Sequence, residues 1–155
     1  MSNTIVIWGA GRIGRGFVAD LFAGYGLVFV DQSQALVDAL RRAGRYTVVH
    51  AEGADRRADR VIDHFAALHT SEVERVAEAV AGAALVATAV FPQVFPNVAR
   101  QLVPGLLRRR AAHPNRPLDV ILCTNMAHAG PAFRAPLLEA LPPEARPWAE
   151  AHVGV

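Results

Sequence analysis

Lysine is missing from this chain altogether, and cysteine occurs once. All 16 basic residues are therefore arginine, and no side chain can form a Schiff base or act as a lysine general base. Lysine-dependent chemistry would have to come from another domain. The single cysteine, Cys123, excludes an internal disulfide and any thiolate cluster around a metal. The six histidines are scattered, without the paired spacing on one helix face that zinc sites use, so no metal ligands are expected. No apolar run approaches the roughly eighteen residues of a membrane span, and the first residues lack the organisation of a signal peptide. The expectation is a cytoplasmic protein with no membrane partner. Charge of one sign is not in excess either: 16 basic against 14 acidic residues leave a net charge of +2. Arg108, Arg109 and Arg110 form the one arginine triplet, read as the basic end of a helix complementing its dipole. No recognition helix dense in arginine is evident, which makes nucleic acid the weakest partner class.

What is present is apolar: 52% of 155 residues, enough for one domain with its own core. Stretches rich in Val and Ile alternate with segments of helical period, the pattern of βαβ units around a mainly parallel sheet with helices on both faces. Strands are expected at 4–8, 27–30, 84–90 and 118–123, and helices at 12–24, 33–42, 72–80, 94–110 and 131–141. Ser71 is a candidate cap for the helix at 72–80. "YTVVHA" (46–51) and "RVIDHFAALH" (60–69) alternate less cleanly and read as extra strands around a turn, "EGADRRAD". The tail from Pro142 ends on Val153, Gly154 and Val155, which reads as the opening of a strand.

The first strand runs into "GAGRIGRGF", where Gly9, Gly11 and Gly14 make GxGxxG at the mouth of a helix. The first glycine permits a tight turn, the second lets the backbone approach a pyrophosphate, and the third lets helix and strand pack closely. Exposed amides and the helix dipole then favour an anion there, which makes Gly9, Ala10, Gly11, Arg12, Ile13 and Gly14 candidate contacts of a dinucleotide. The fold expected is accordingly a Rossmann-type, doubly wound α/β domain. Arg12 and Arg15 stand in the helix's first turn, where a cation is unfavourable by roughly 0.3–1 kcal/mol unless something negative is close. A bound pyrophosphate satisfies that condition; solvent-facing arginines are the alternative.

Asp31 follows the second strand, where a carboxylate accepts bonds from adenosine ribose hydroxyls and repels a 2′-phosphate. The next residues are Gln32, Ser33 and Gln34 rather than arginine, which favours NAD over NADP. A purely structural Asp31, capping the next helix, is the alternative. In open α/β sheets ligands lie beyond the carboxyl ends of strands, which turns attention to Thr88, Ala89 and Val90 and to Asn125. Thr88 or the peptide groups around it would hydrogen-bond the dinucleotide, unless this is an ordinary turn set by Pro92. Asn125 would reach nicotinamide or substrate, or merely cap a helix. Cys123 reads as a small apolar residue, not a nucleophile.

These pieces together resemble the N-terminal half of the mannitol dehydrogenase family of polyol-specific long-chain dehydrogenases, in particular its branch acting on mannitol 1-phosphate. The resemblance rests on "GAGRIGRGF", "VFVD" at 28–31, "ATAVFP" at 87–92, "TNM" at 124–126 and "ALPPEARPWAEAHVG" at 140–154. Thr124 stands where the family pattern has Glu, and Arg12 and Phe91 where it has Asn and Gly. The resemblance implies metal-independent, reversible hydride transfer between NAD and a secondary alcohol of a sugar alcohol or its phosphate. It also implies a lysine base on a C-terminal helical domain, so residues 1–155 would be the NAD-binding domain, cut at the junction and inactive alone. Separation from that domain is expected to expose an apolar face including Trp148 and Val153, and to invite self-association. A non-catalytic NAD-sensing module is the main rival reading, and a flavin or nucleotide-sugar protein a second.

Overall fold

The computed structural model describes residues 4–52 and 56–155. Its main sheet has six strands, all parallel, in the order β5-β2-β1-β6-β7-β8. The strands are β1 (Thr4–Trp8), β2 (Gly26–Asp31), β5 (Phe65–His69), β6 (Leu85–Thr88), β7 (Leu118–Leu122) and β8 (Val153–Gly154). Counting only these six, the chain runs 3-2-1-4-5-6 across the sheet, the Rossmann order, which reverses direction between β1 and β6. Two further strands, β3 (Tyr46–Glu52) and β4 (Arg56–Ile62), form a separate antiparallel pair.

Alternate residues of each central strand feed two cores. Ile5, Ile7, Leu27, Phe29 and Ala87 face one side with Val18, Ala19, Val37 and Leu40 from the first helices. Val6, Trp8, Val30 and Val86 face the other. That second core is covered by α3 (Val73–Gly82), α4 (Phe95–Ala112), α5 (Ala129–Ala140) and α6 (Arg146–His152). Strands buried on both faces explain the near-continuous Val and Ile runs of the sequence. On the first side, α1 (Ala19–Leu21) follows a π-helical turn at Gly14–Val18, and α2 (Gln34–Ala43) begins at a Ser33 cap whose hydroxyl accepts from Leu36 N at 3.3 Å.

Several expectations require correction. The helix read at 12–24 is a wide π-helical turn and a short α-helix that ends at Leu21. "RVIDHFAALH" is not one strand: it closes β4, turns at Asp63 and His64, and supplies β5 to the main sheet. Of the expected turn at 52–59, residues 53–55 lie outside the described residues, and β4 already begins at Arg56. Ser71 does not cap α3, because its hydroxyl is bonded to His69 Nδ1 at 2.7 Å and the helix starts from Glu72 without a side-chain cap. The tail holds α6 before β8, which pairs with β7. Val153 is buried, and Trp148 packs on the core with its indole nitrogen donating to Pro114 O at 2.7 Å, so neither forms an exposed apolar face.

The arginine triplet is not uniformly solvated. Arg109 is wholly buried, and its guanidinium donates to Ala81 O and Ala83 O at 2.8 Å, Arg116 O at 3.1 Å and Pro117 O at 2.6 Å. Burial holds its pKa below the ordinary arginine value. Arg108 pairs with Glu74 at 2.6 Å. Among the described residues no helix is long and apolar enough to cross a membrane.

Candidate dinucleotide site

The glycine loop is closed on the protein side and open on the other. Gly9 adopts φ +93°, and a Cβ there would stand 2.5 Å from Ala89 O; a Cβ on Gly14 would stand 1.9 Å from Gly9 O. Both positions therefore exclude a side chain. A Cβ on Gly11 would meet nothing within 4 Å, so at this point the backbone is bare toward the cleft. The first amide of the new helix bonded back into the chain is Arg15 N, to Gly11 O at 3.0 Å. The amides of the turn before it have no intrahelical acceptor, the arrangement that suits an anion.

Asp31 fixes this loop. Its Oδ2 accepts from Ala10 N at 2.7 Å and its Oδ1 from Ser33 N at 2.8 Å. Each carboxylate oxygen keeps a second lone pair, so the group can still accept from hydroxyls in the cleft it lines. Asp31 does not cap the next helix: Ser33 caps α2, and Asp31 accepts from the amide of that capping residue.

Arg15 donates from Nε to Ala10 O at 2.7 Å, and its own carbonyl accepts the Tyr46 hydroxyl at 2.9 Å. Arg15 thus braces the loop and does not stand free in solvent. Desolvation pushes the Tyr46 phenol up to about 12. Arg12 is exposed and has no ion pair among the described residues.

Two cavities flank the loop. The first, about 220 Å³, is lined by Trp8, Gly9, Gly11, Val30 and Asp31, with polar side chains from Gln32, Thr70, Asn97 and Gln101. The second, about 690 Å³ and more open, is lined by Ile13, Phe17, Pro92, Cys123, Thr124 and Asn125. Ala89, Val90 and Phe91 line both and form the ridge between them. A molecule crossing the bare backbone at Gly11 would have one end in each cavity, which is the fit expected of an extended dinucleotide.

The sequence candidates distribute as follows. Gly9, Gly11, Asp31, Ala89 and Val90 line the first cavity, Ile13 and Asn125 the second, and Ala10 joins the loop to Asp31. Thr88 stands apart. It is 1% exposed, lines neither cavity, and its hydroxyl is buried with no partner among the described residues, so its side chain is a residue too deep to reach a ligand in the cleft. Its carbonyl is taken by Cys123 N at 2.8 Å. Burial raises the Cys123 thiol, against a nucleophilic role. Thr70, Asn97 and Gln101 were not among the candidates. Thr70 follows β5, which the sequence pattern merges with β4. Asn97 and Gln101 continue the face of Val94, the residue before α4, and Val98 within it, and the signal for them is the polar break at spacing four in an apolar stripe.

A family model, the mannitol dehydrogenase Rossmann domain, matches residues 3–155. The chain belongs to the mannitol dehydrogenase family. As a Rossmann domain of that family it is a nicotinamide-dinucleotide-binding dehydrogenase domain. Among its relatives, mannitol-1-phosphate 5-dehydrogenase of Lacticaseibacillus casei (strain BL23) is 34% identical over 152 residues, covering 96% of this chain and 39% of that protein. The protein of the same name from Brevibacillus brevis is 42% identical over 123 residues, 78% of this chain and 31% of that one. The chain thus spans about two fifths or less of the length of these relatives. Among its described residues, this mannitol dehydrogenase family domain has no cluster of three or more His, Cys, Asp and Glu able to hold a metal.

Proposed function

We propose that residues 1–155 are the NAD-binding domain of an enzyme that transfers hydride between NAD and a secondary hydroxyl of mannitol 1-phosphate or mannitol. The observation that carries this reading is the open backbone at Gly11, held by Asp31 through Ala10 N and flanked by a cavity on either side. NAD, when bound, supplies the hydride acceptor. The chain's own part is to bind and orient. Loop amides and Arg12 face the diphosphate, Asp31 accepts the adenosine ribose hydroxyls and repels a 2′-phosphate, and Asn125 with Thr124 borders the nicotinamide cavity. Apolar walls at Ile13, Phe17 and Phe91 keep water from that cavity when it is covered. The substrate in this reading follows the names of the relatives, mannitol-1-phosphate 5-dehydrogenases.

Proton transfer from the alcohol needs a general base. With no lysine in the sequence, the base of this proposal comes from outside residues 1–155. The chain alone is therefore expected to bind NADH and not to turn over a polyol. The test is a titration with NADH and NADPH, read by energy transfer from Trp8, a lining residue of the first cavity. Saturable transfer with NADH and much weaker transfer with NADPH is the expected result. Failure to bind NADH in calorimetry overturns the cofactor assignment, and NADH formation from mannitol 1-phosphate by the pure chain overturns the need for an outside base.

A further inference from the structure

Among the described residues the two sheets end in four edge strands, β5, β8, β3 and β4, and three of these edges are blunted. On β5, Ala67 O accepts from Arg41 Nε at 2.9 Å and His69 N donates to Glu72 Oε2 at 2.8 Å, so side chains occupy groups that another strand would use. β8 is two residues long, and its Val153 O accepts from Arg134 Nη1 at 3.1 Å. β4 carries three arginines against one aspartate, a charge that repels a second β4. β3 has none of these protections. Its sequence, YTVVHAE, is rich in β-branched residues and has a single acid, at its end. Among the described residues its backbone bonds to no strand but β4, and no other element packs along its length. The inner side of the β3–β4 ribbon is fixed to the domain. Val48 and Ile62 are buried, the Tyr46 hydroxyl donates to Arg15 O at 2.9 Å, His50 Nε2 donates to Asp20 Oδ2 at 2.9 Å, and Arg60 Nη1 donates to Asp20 O at 3.0 Å. The outer side presents Thr47, Val49 and Val61 to solvent.

We infer that β3 pairs antiparallel with β3 of a second copy of this chain, joining two ribbons into one four-stranded sheet. The strand is its own complement. A two-fold axis at Val49 sets Val49 against its counterpart, Val48 against His50, Thr47 against Ala51 and Tyr46 against Glu52, with no like charges opposed. Each pair joins positions of the same parity, so both ribbons keep their inner sides on one face of the joint sheet. A ribbon of two strands is also the least stable form of sheet, and a third and fourth strand remedy that. The alternative junction through β4 opposes two strands of net positive charge. Seven residues at about 3.4 Å each make a contact roughly 24 Å long, which is small beside a permanent interface of about 1,200–2,000 Å². The association is therefore concentration-dependent.

The experiment is sedimentation velocity on the chain from about 5 to about 500 µM, a range that spans weak association. The average mass is expected to rise from that of one chain toward that of two. Val49→Lys sets two cations against each other at the axis and is expected to weaken association more than about tenfold. Val61→Lys lies on the same outer side but one strand away from the junction, and is expected to change it less than about threefold. Both side chains are exposed, 44% and 53%, so neither change removes a core contact. In a Cys123→Ala background, Val49→Cys is expected to form a disulfide between copies under mild oxidation. Val61→Cys is not, because three strand spacings of about 4.8 Å separate it from its counterpart. A single-chain mass at every concentration, an association as sensitive to Val61→Lys as to Val49→Lys, or cross-linking at Val61 in preference to Val49 overturns the inference.

Discussion

The two cavities share a ridge but are walled differently. Around the first, polar groups are engaged with the backbone: both Asp31 oxygens hold amides, Arg15 holds Ala10 O, and Tyr46 holds Arg15 O. Around the second, large apolar side chains stand in solvent, with Ile13 53%, Phe17 57% and Phe91 80% exposed. The first is a preorganised site, since its groups need no rearrangement to receive a ligand. The second has an apolar rim that stands largely in solvent among the described residues, and in the proposed function it is dry only when covered. Under the proposed function, binding and catalysis are thereby separated in space, with recognition at the first cavity and the reaction at the second.

The strongest way to break this comparison is to spoil the preorganised half alone. Gly14→Ala places a methyl group where Gly9 O now lies, so the loop must shift. NADH affinity is expected to fall more than about a hundredfold, with a loss of stability of about 1–3 kcal/mol, measured by calorimetry and urea unfolding. An intact affinity would show that the loop does not have to keep this geometry.

A smaller effect is expected at Asp31. Asp31→Ala removes the acceptor for Ala10 N and Ser33 N as well as the carboxylate facing the cleft. NADH binding is expected to weaken by about ten- to a hundredfold, as for one or two charge-assisted bonds, while NADPH loses less, so the gap between them narrows. Unchanged selectivity in paired titrations counts against Asp31 as the ribose acceptor.

The finest comparison is at Tyr46, which touches the loop only through Arg15. Its folded pKa of about 12 lies above the ordinary value near 10. The folded protein therefore holds a proton that the unfolded chain releases, and stability present below pH 10 declines as pH rises toward 12. Tyr46→Phe is expected to remove that contribution to the decline and to cost about 0.5–1.5 kcal/mol at neutral pH, with NADH affinity altered by only a few-fold. Urea unfolding across pH 8–12 in both proteins checks it. An identical alkaline slope would assign the loss to other groups.

Most of the sheet was legible because its strands are buried on both faces and read as short Val and Ile runs between helical segments. The glycine loop and Asp31 were legible because their spacing is local. Four features were not. The boundary between β4 and β5 carries neither Gly nor Pro, only Asp63 and His64, so two strands in different sheets ran together. The helix α6 starts in a proline-rich stretch, "PPEARPW", where proline at the first helical positions reads equally well as a tail. The depth of Thr88 depends on register against Trp8 and Leu122, which no single-strand pattern contains. Asn97 and Gln101, which line the first cavity from α4, were missed for a related reason: which face of a long helix looks into a cleft is decided by the sheet beneath it.

Arg109 bears on the sequence's missing cross-links. A chain with one cysteine cannot tie its loops together covalently. Here one guanidinium gathers carbonyls from residues 81, 83, 116 and 117 and draws the end of α3, the approach to β6 and the approach to β7 onto a single point in α4. It staples three chain segments by hydrogen bonds alone, and such a fastening is indifferent to the redox poise of its surroundings, which a disulfide is not.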